Sequence, residues 1–410
     1  MTSSAEAVDE VARTAYGQLL AYLASRYGDV ASAEDALGDA FLAALRQWPA
    51  DGIPDNPRAW ILRAAQRKQV DAYRRKRTRE MAAEELERAA LEAEQAADDL
   101  TFPDERLKLL FVCAHPAIDP AARAPLSLQT VLGIQADRIA SAFLVSPAAM
   151  SQRLVRAKAK IRDARIPFYV PGENEWPERF ESVLDSLYAA FTTGWDEAAG
   201  SGGPGGGLAM ESIWLGRLLV HLLPDSPEAL GLLALMLHSH ARHPARRSNE
   251  GAFVPLPEQD VRRWSAPLIA EAEALIRRAA QHQQLGRYQI EAAIQSVHAQ
   301  RAVTGKIEWG VIAMLYDALI QKTPAIGARI GRALAQSELH GPSTGLQLLD
   351  VLPASMVRDH QPYWATRAHL LTRLGSRDAA AIAYKRALGL TEDPAVRTFL
   401  SQRLIHLKKE

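Results

Sequence analysis

Apolar positions recur at helical spacing along almost the whole chain, and the apolar–polar alternation of strands is scarce, so the pattern predicts an all-α fold. The first period puts Val8, Val11, Ala12, Tyr16, Leu19, Leu20, Leu23 and Tyr27 on one broad face before Gly28-Asp29 stops it. In AEDALGDAFLAALRQW the stripe is Leu37, Phe41, Ala44 and Trp48, while Glu34, Asp35 and Asp39 present acid on another face. A third helix starts at Asn56-Pro57, a capping residue followed by a first-turn proline. Along it Arg63, Arg67 and Arg74 share one stripe, with Trp60 one turn upstream and Tyr73 beside the far end. Farther on, ADRIASAFLV predicts a short helix with Ile139, Ala140 and Phe143 inward and Leu144-Val145 in the turn after it. Ser146-Pro147 then opens a longer helix. Met150, Leu154, Ala157 and Ile161 form its buried stripe, and Ser151, Gln152, Arg153, Arg156 and Lys160 form its polar, basic face.

Past Val170-Pro171 the composition changes and a longer helical half begins. WPERFESVLDSLYAAFTTGW reads as an amphipathic helix ending at a glycine-containing turn, and SGGPGGG as a flexible loop. That loop has neither the Lys-Ser/Thr nor the preceding strand of a phosphate-binding loop. Further helices follow in LAMESIWLGRLLVHLL, SPEALGLLALMLHSHARHPAR, the segment through Leu275, and RYQIEAAIQSVHAQ. Near the end, Gly341 and Gly375 lie thirty-four residues apart, each closing one helix and preceding another. With Ala368, Ala380, Ala383, Tyr384 and Pro394 this spacing fits tetratricopeptide-like helical pairs, which stack into concave surfaces that bind proteins or peptides.

Charge alters this picture locally rather than globally. Lys+Arg and Asp+Glu balance at 48 each over 410 residues, so any nucleic-acid binding must come from segregated charge. Segregation is strong: the basic helix after Asn56 gives way, between Glu80 and Asp99, to a run of acids with one arginine. The single Cys113 rules out an intramolecular disulfide and fits a reducing compartment. Cys113-Ala114-His115 reads as a small core cluster, and His238, His240 and His243 as hydrogen-bonded histidines, because neither set has the partners of a zinc site; no metal or cofactor is expected. The N-terminus lacks the basic and apolar parts of a signal peptide and no apolar run reaches ~18 residues, so a cytoplasmic, membrane-free protein is expected. No nucleophile–base pair or nucleotide loop emerges, and the reading is non-enzymatic.

The chemistry that does emerge suits DNA. Two short helices joined by the tight turn before Ser146 suggest a helix-turn-helix, with glutamine and arginine for base edges and cations for phosphates. The Arg63–Arg67–Arg74 stripe with interspersed rings suits single-stranded DNA, where phosphates take the charge and unpaired bases stack. Asp104-Glu105-Arg106-Leu107, LLFVCAHPAI, IASAFLVSPAAMSQRLVRAKAKI and the exit IPFYVP together resemble region 4 of the extracytoplasmic-function sigma factors. The resemblance is to the subgroup with a long C-terminal extension, and it runs from about Val11 to Leu404. AEDALGDAFLAALRQW resembles part of sigma region 2.

The resemblance implies a domain plan: region 2 over 1–79, an acidic linker over 80–101, region 4 over 102–171, a helical extension over 172–322 and tetratricopeptide-like repeats over 323–410. It implies core RNA polymerase as partner, through its β′ clamp helices and β flap, with Asp35, Leu37, Asp39 and Phe41 at the polymerase contact. Promoter DNA is the second implied partner. Trp60, Arg63, Arg67, Lys68, Arg74, Arg75 and Arg77 would open the −10 element, and Ser151, Gln152, Arg153, Arg156 and Lys160 would read the −35 element. Gly38, Arg67 and Gln135 stand where the family usually has a longer polar residue, an asparagine and a capping threonine. The acidic linker would either mimic RNA in the polymerase or cover the basic faces of the unbound protein. The extension would regulate or assist promoter binding. A stand-alone helix-turn-helix regulator, and a scaffold or ligand sensor with a vestigial N-terminal half, are the alternatives.

Overall fold

The computed structural model describes residues 3–77, 104–143, 145–172, 175–197, 207–391 and 393–407. The acidic linker, Leu144 and the glycine-rich stretch before Gly207 lie outside the described residues, as do the side chains of Tyr73, Arg74, Arg75 and Arg77. Among the described residues every long element is an α-helix, as the periodicity predicts, and the extended pairing is limited to a bridge between Arg247 and Phe253. The chain divides into two compact units, Met1–Thr193 and Gly194–Glu410.

The first unit opens with α1 (Ser4–Tyr27), capped reciprocally by Ser3 and Glu6 and stopped by Gly28 in the left-handed conformation. Asp29 caps α2 (Val30–Asp51), and Asn56 caps α3 (Pro57–Arg77) by accepting from the Ala59 N–H at 3.0 Å. After the linker come α4 (Arg106–Cys113), α5 (Pro120–Leu132), α6 (Ala136–Ala142) and α7 (Pro147–Asp163). Then α8 (Trp176–Glu197) runs straight through Gly194 instead of ending at a glycine turn.

Up to Thr193 this helix belongs to the first unit by its packing. Fully buried Phe111 on α4 meets Trp176 at 5.1 Å and Phe180 at 6.3 Å between ring centroids, and its carbonyl accepts from Arg179 at 3.1 Å. The compact unit therefore continues past Pro171 to Thr193. Nearby, Cys113 is buried with its Sγ 3.3 Å from Thr130 Oγ1, and burial pushes its thiol up to about 12. Only the thiolate attacks, so a disulfide reagent at pH 8 is expected to label native Cys113 at least roughly a hundredfold more slowly than the urea-unfolded chain. Equal rates in the two states would show that the Cys113–Thr130 packing does not form.

The second unit contains α9 (Gly207–Leu222), α10 (Pro227–Ala241), α11 (Ala266–Ala280) and α12 (Arg287–Ala299). Glu228 on α10 caps α12, its carboxylate accepting from the Tyr288 and Gln289 N–H groups at 3.1 Å each. Buried His238 lies 3.3 Å from Glu273, which also accepts from Ser296, while His240 and His243 stack on each other at 5.6 Å. After the single turn α13 (Arg301–Thr304) come α14 (Trp309–Lys322), α15 (Ile326–His340), α16 (Pro342–Asp350), the short α17 (Ala354–Val357), α18 (Gln361–Arg373), α19 (Arg377–Gly389) and α20 (Pro394–His406). Gly341 and Gly375, both at positive φ, make the two turns that the spacing singled out. Ala368, Ala380, Ala383 and Tyr384 are buried together between α18, α19 and α20.

Candidate nucleic-acid interface

Helix α7 is divided lengthwise as its sequence predicts. Ser146 accepts from the Ala149 N–H at 3.2 Å, and Met150, Leu154, Ala157 and Ile161 are buried. Ser151, Gln152, Arg156 and Lys160 are exposed on the opposite side. Arg153 is half-buried, with one guanidinium nitrogen 3.5 Å from the Ala121 carbonyl, so α5 partly holds it. Two residues on this helix were not singled out by the pattern. Val155, 63% exposed, sits among the polar residues as an apolar contact facing outward. Lys158 turns the other way and reaches Glu34 on α2 at 2.5 Å and Gln129 on α5 at 3.1 Å.

That ion pair moves Glu34 out of the acidic surface. Its side chain is 16% exposed, and burial raises its carboxyl above the usual range against the opposing pull of Lys158. The exposed face of α2 instead carries Asp35, Asp39, Arg46 and two leucines, Leu42 at 52% and Leu45 at 43% exposure. Leu37, expected at a polymerase contact, is 0% exposed and belongs to the core; Phe41 beside it is half-buried. The reason lies in register: Leu37 falls on the same stripe as Ala33, Ala40, Ala44 and Trp48, all buried. Leu42 follows Asp35 by seven residues and so returns to its face.

On α3 the side chains of Arg63, Arg67 and Lys68 are exposed, and Lys68 lies 3.6 Å from Asp39. Trp60 is half-buried and meets the edge of buried Trp48 at 5.5 Å, so one part of its ring packs and another stays accessible. Ala59, Ile61, Leu62 and Ala65 are buried. The roles expected for Arg74, Arg75 and Arg77 fall on side chains outside the described residues.

Comparison with known proteins gives this arrangement a family. Residues 12–79 match the model of sigma-70 region 2, and residues 179–280 match a family of unknown function, DUF6596. An uncharacterized protein of Rhizobium meliloti (strain 1021) is 36% identical over 402 residues, covering 97% of this chain and 94% of its own length. The chain belongs to that protein's family and carries sigma-70 region 2. No solved structure matches.

Sigma-70 region 2 spans α1 to α3 and therefore includes the exposed faces of α2 and α3. It supports a sigma-factor-like role, a transcription regulator rather than an enzyme, and implies binding to core RNA polymerase and promoter DNA. The family of unknown function covers most of α8 and continues to the end of α11. Among the described residues no helix is long and apolar enough to cross a membrane.

Proposed function

We propose that this sigma-70 region 2 chain is a promoter-directing sigma factor of the extracytoplasmic-function type, acting in the cytoplasm, with the C-terminal helices adjusting its activity. The observation that carries the reading is the division of α7. Four apolar residues are buried, and Ser151, Gln152, Val155 and Arg156 project from the far side. A helix held in this way can enter a major groove as the second helix of a helix-turn-helix. Gln152 offers a paired donor and acceptor for an adenine edge, Arg156 a fork for guanine, and Val155 an apolar contact for a thymine methyl. Lys160 and Arg153 would hold phosphate.

Region 2 supplies the other two functions in this reading. Exposed Arg63, Arg67 and Lys68, with the accessible part of Trp60, would follow one strand of the opened −10 element. Asp35, Asp39 and Leu42 would form the polymerase contact, acid surrounding an exposed apolar side chain, as protein interfaces combine a polar rim with an apolar centre.

The test is run-off transcription with core polymerase on the protein's own upstream region. Full-length chain is expected to start transcription at one defined site. The Asp35→Arg, Leu42→Arg variant should lose nearly all activity, while Gln152→Ala, Arg156→Ala should lose at least about tenfold on that promoter, since each bidentate base contact is worth roughly 1–3 kcal/mol. Absence of initiation by the full chain would refute the sigma reading. Full activity of the α2 variant would instead favour a stand-alone DNA-binding regulator.

A further inference from the structure

The second unit contains a cavity of about 560 Å³ that the sigma reading does not use. Its walls come from helices far apart in sequence: Trp309 opens α14, Leu334 lies on α15, Ala365 on α18, Tyr384 on α19, and Phe399 and Leu400 on α20. A strap closes one side. Residues 246–265 leave α10, make the Arg247–Phe253 bridge and bring Phe253, Pro255 and Pro257 to the cavity edge.

The strap is tied at both ends. Phe253 meets the Phe399 ring at 5.5 Å edge to face, Arg247 pairs with Asp393 at 2.9 Å, and Arg301 donates to the Pro257 and Gln259 carbonyls at 2.6 and 2.8 Å. Trp309 is in turn backed by His298, 5.7 Å away and edge-on. The aromatic surfaces are thus held in place around an open volume that lies within the range of small-molecule sites.

The charges at the mouth decide what class of molecule fits. Arg403 pairs with Glu258 at 2.5 Å and lies 5.0 Å over the Phe399 ring, and Arg373 pairs with Glu338. Each cation is already engaged by a carboxylate, so an anion entering the cavity would lose hydration and have to compete with Glu258 and Glu338 for the guanidinium groups, whereas an uncharged ligand meets neither cost. The hydroxyl of Thr366 and the imidazole of His369, both on the lining, can hydrogen-bond a neutral polar group.

We propose that this strapped cavity is a binding site for an uncharged, largely aromatic small molecule, held against Trp309, Phe399 and Phe253, with its one polar end toward Thr366 and His369. Occupancy would tie the strap to α20 and stiffen the second unit. The site makes the C-terminal unit a ligand sensor, and it stands independently of promoter recognition.

The probe for the test is N-phenyl-1-naphthylamine, an uncharged aromatic whose emission rises in apolar surroundings, added to the full-length chain. Saturable one-to-one binding with energy transfer from tryptophan is expected, together with a rise in Tm of the second unit's transition. Ala365→Phe, which fills the cavity from a half-buried position, should weaken binding at least tenfold. In case that variant disturbs folding, Phe399→Leu provides a second readout: it keeps an apolar side chain on α20 but removes one aromatic wall of the cavity, so binding should weaken at least threefold. The anionic analogue 1-anilinonaphthalene-8-sulfonate should bind at least fivefold more weakly. Non-saturable emission, or binding unchanged in both variants, would overturn the site. Equal or tighter binding of the anion would overturn the assignment to uncharged ligands.

Discussion

Replacing Lys158 by methionine is expected to cost the first unit about 3–5 kcal/mol, the range for breaking one side of a buried ion pair. Lys158 and Glu34 are only 12% and 16% exposed and lie 2.5 Å apart, and the second Glu34 oxygen is buried without a hydrogen-bond partner. Without Lys158 nothing offsets the burial that already raises the Glu34 carboxyl, so the variant should keep a proton there well above the usual range. The sign follows from linkage. A carboxyl whose folded value lies above its unfolded one stabilises the fold while protonated, and that stability is lost as pH rises from the unfolded value through the folded one. The variant should therefore lose stability from mildly acidic to neutral pH more steeply than the parent. Adding Glu34→Leu should recover most of the loss, because two apolar side chains of similar volume can replace a buried pair at little cost. Cys113 makes the measurement specific to this unit, since the single thiol reports its opening in a urea series by pulse labelling. A cost under about 1 kcal/mol, or a double variant as unstable as the sum of the singles, would show that the pair does not act as a buried clip.

That pair also marks where the sequence could be read and where it could not. Helical type, the caps at Ser146 and Asn56, and the Met150–Leu154–Ala157–Ile161 stripe follow from local spacing and capping chemistry, which depend on neighbours within a turn or two. The exposed Ser151, Gln152 and Arg156 follow from the same period. What a long-range contact decides could not be read in this way. Glu34 has the same composition cue as Asp35 and Asp39, and only long-range packing, which sets Lys158 of α7 against it, buries it. Leu37 and Leu42 are both leucines on a resemblance-matched helix, and their five-residue offset sends one to the core and the other to the surface. Val155 carried a signal that could have been used, because it lies off the apolar stripe of its own helix. The junction after Pro171 was obscured for a different reason. Composition changes there, yet Trp176 and Phe180 complete the aromatic cluster around Phe111, a partner sixty-five residues upstream of Trp176.

Gly17 carries the same lesson to its largest expected effect. In the middle of α1 it looks like a weak point, and Gly→Ala in a helix interior ordinarily gains up to about 1 kcal/mol. Here a Cβ would lie 1.8 Å from the Val131 carbonyl oxygen and 2.7 Å from its carbon, both backbone atoms of α5. No rotamer change relieves such a contact, so α1 and α5 would have to move apart. Next to this seam Gly133, at positive φ, leaves no room for a side chain against the Tyr16 ring, 2.9 Å from its would-be Cβ, so the seam has little slack. Gly17→Ala is therefore expected to destabilise the first unit by about 3 kcal/mol or more, at the upper end of overpacking costs and opposite in sign to its helix propensity. Gly38 is the internal control. It lies on the exposed face of α2 with nothing within 4 Å of an added Cβ, so Gly38→Ala should show the ordinary gain of up to about 1 kcal/mol. Measured side by side through Cys113 labelling, the same chemical change should move stability in opposite directions at the two sites. Stabilisation at both would mean that α1 and α5 do not approach as closely as the fold places them, and with that the packing of the first unit would have to be redrawn.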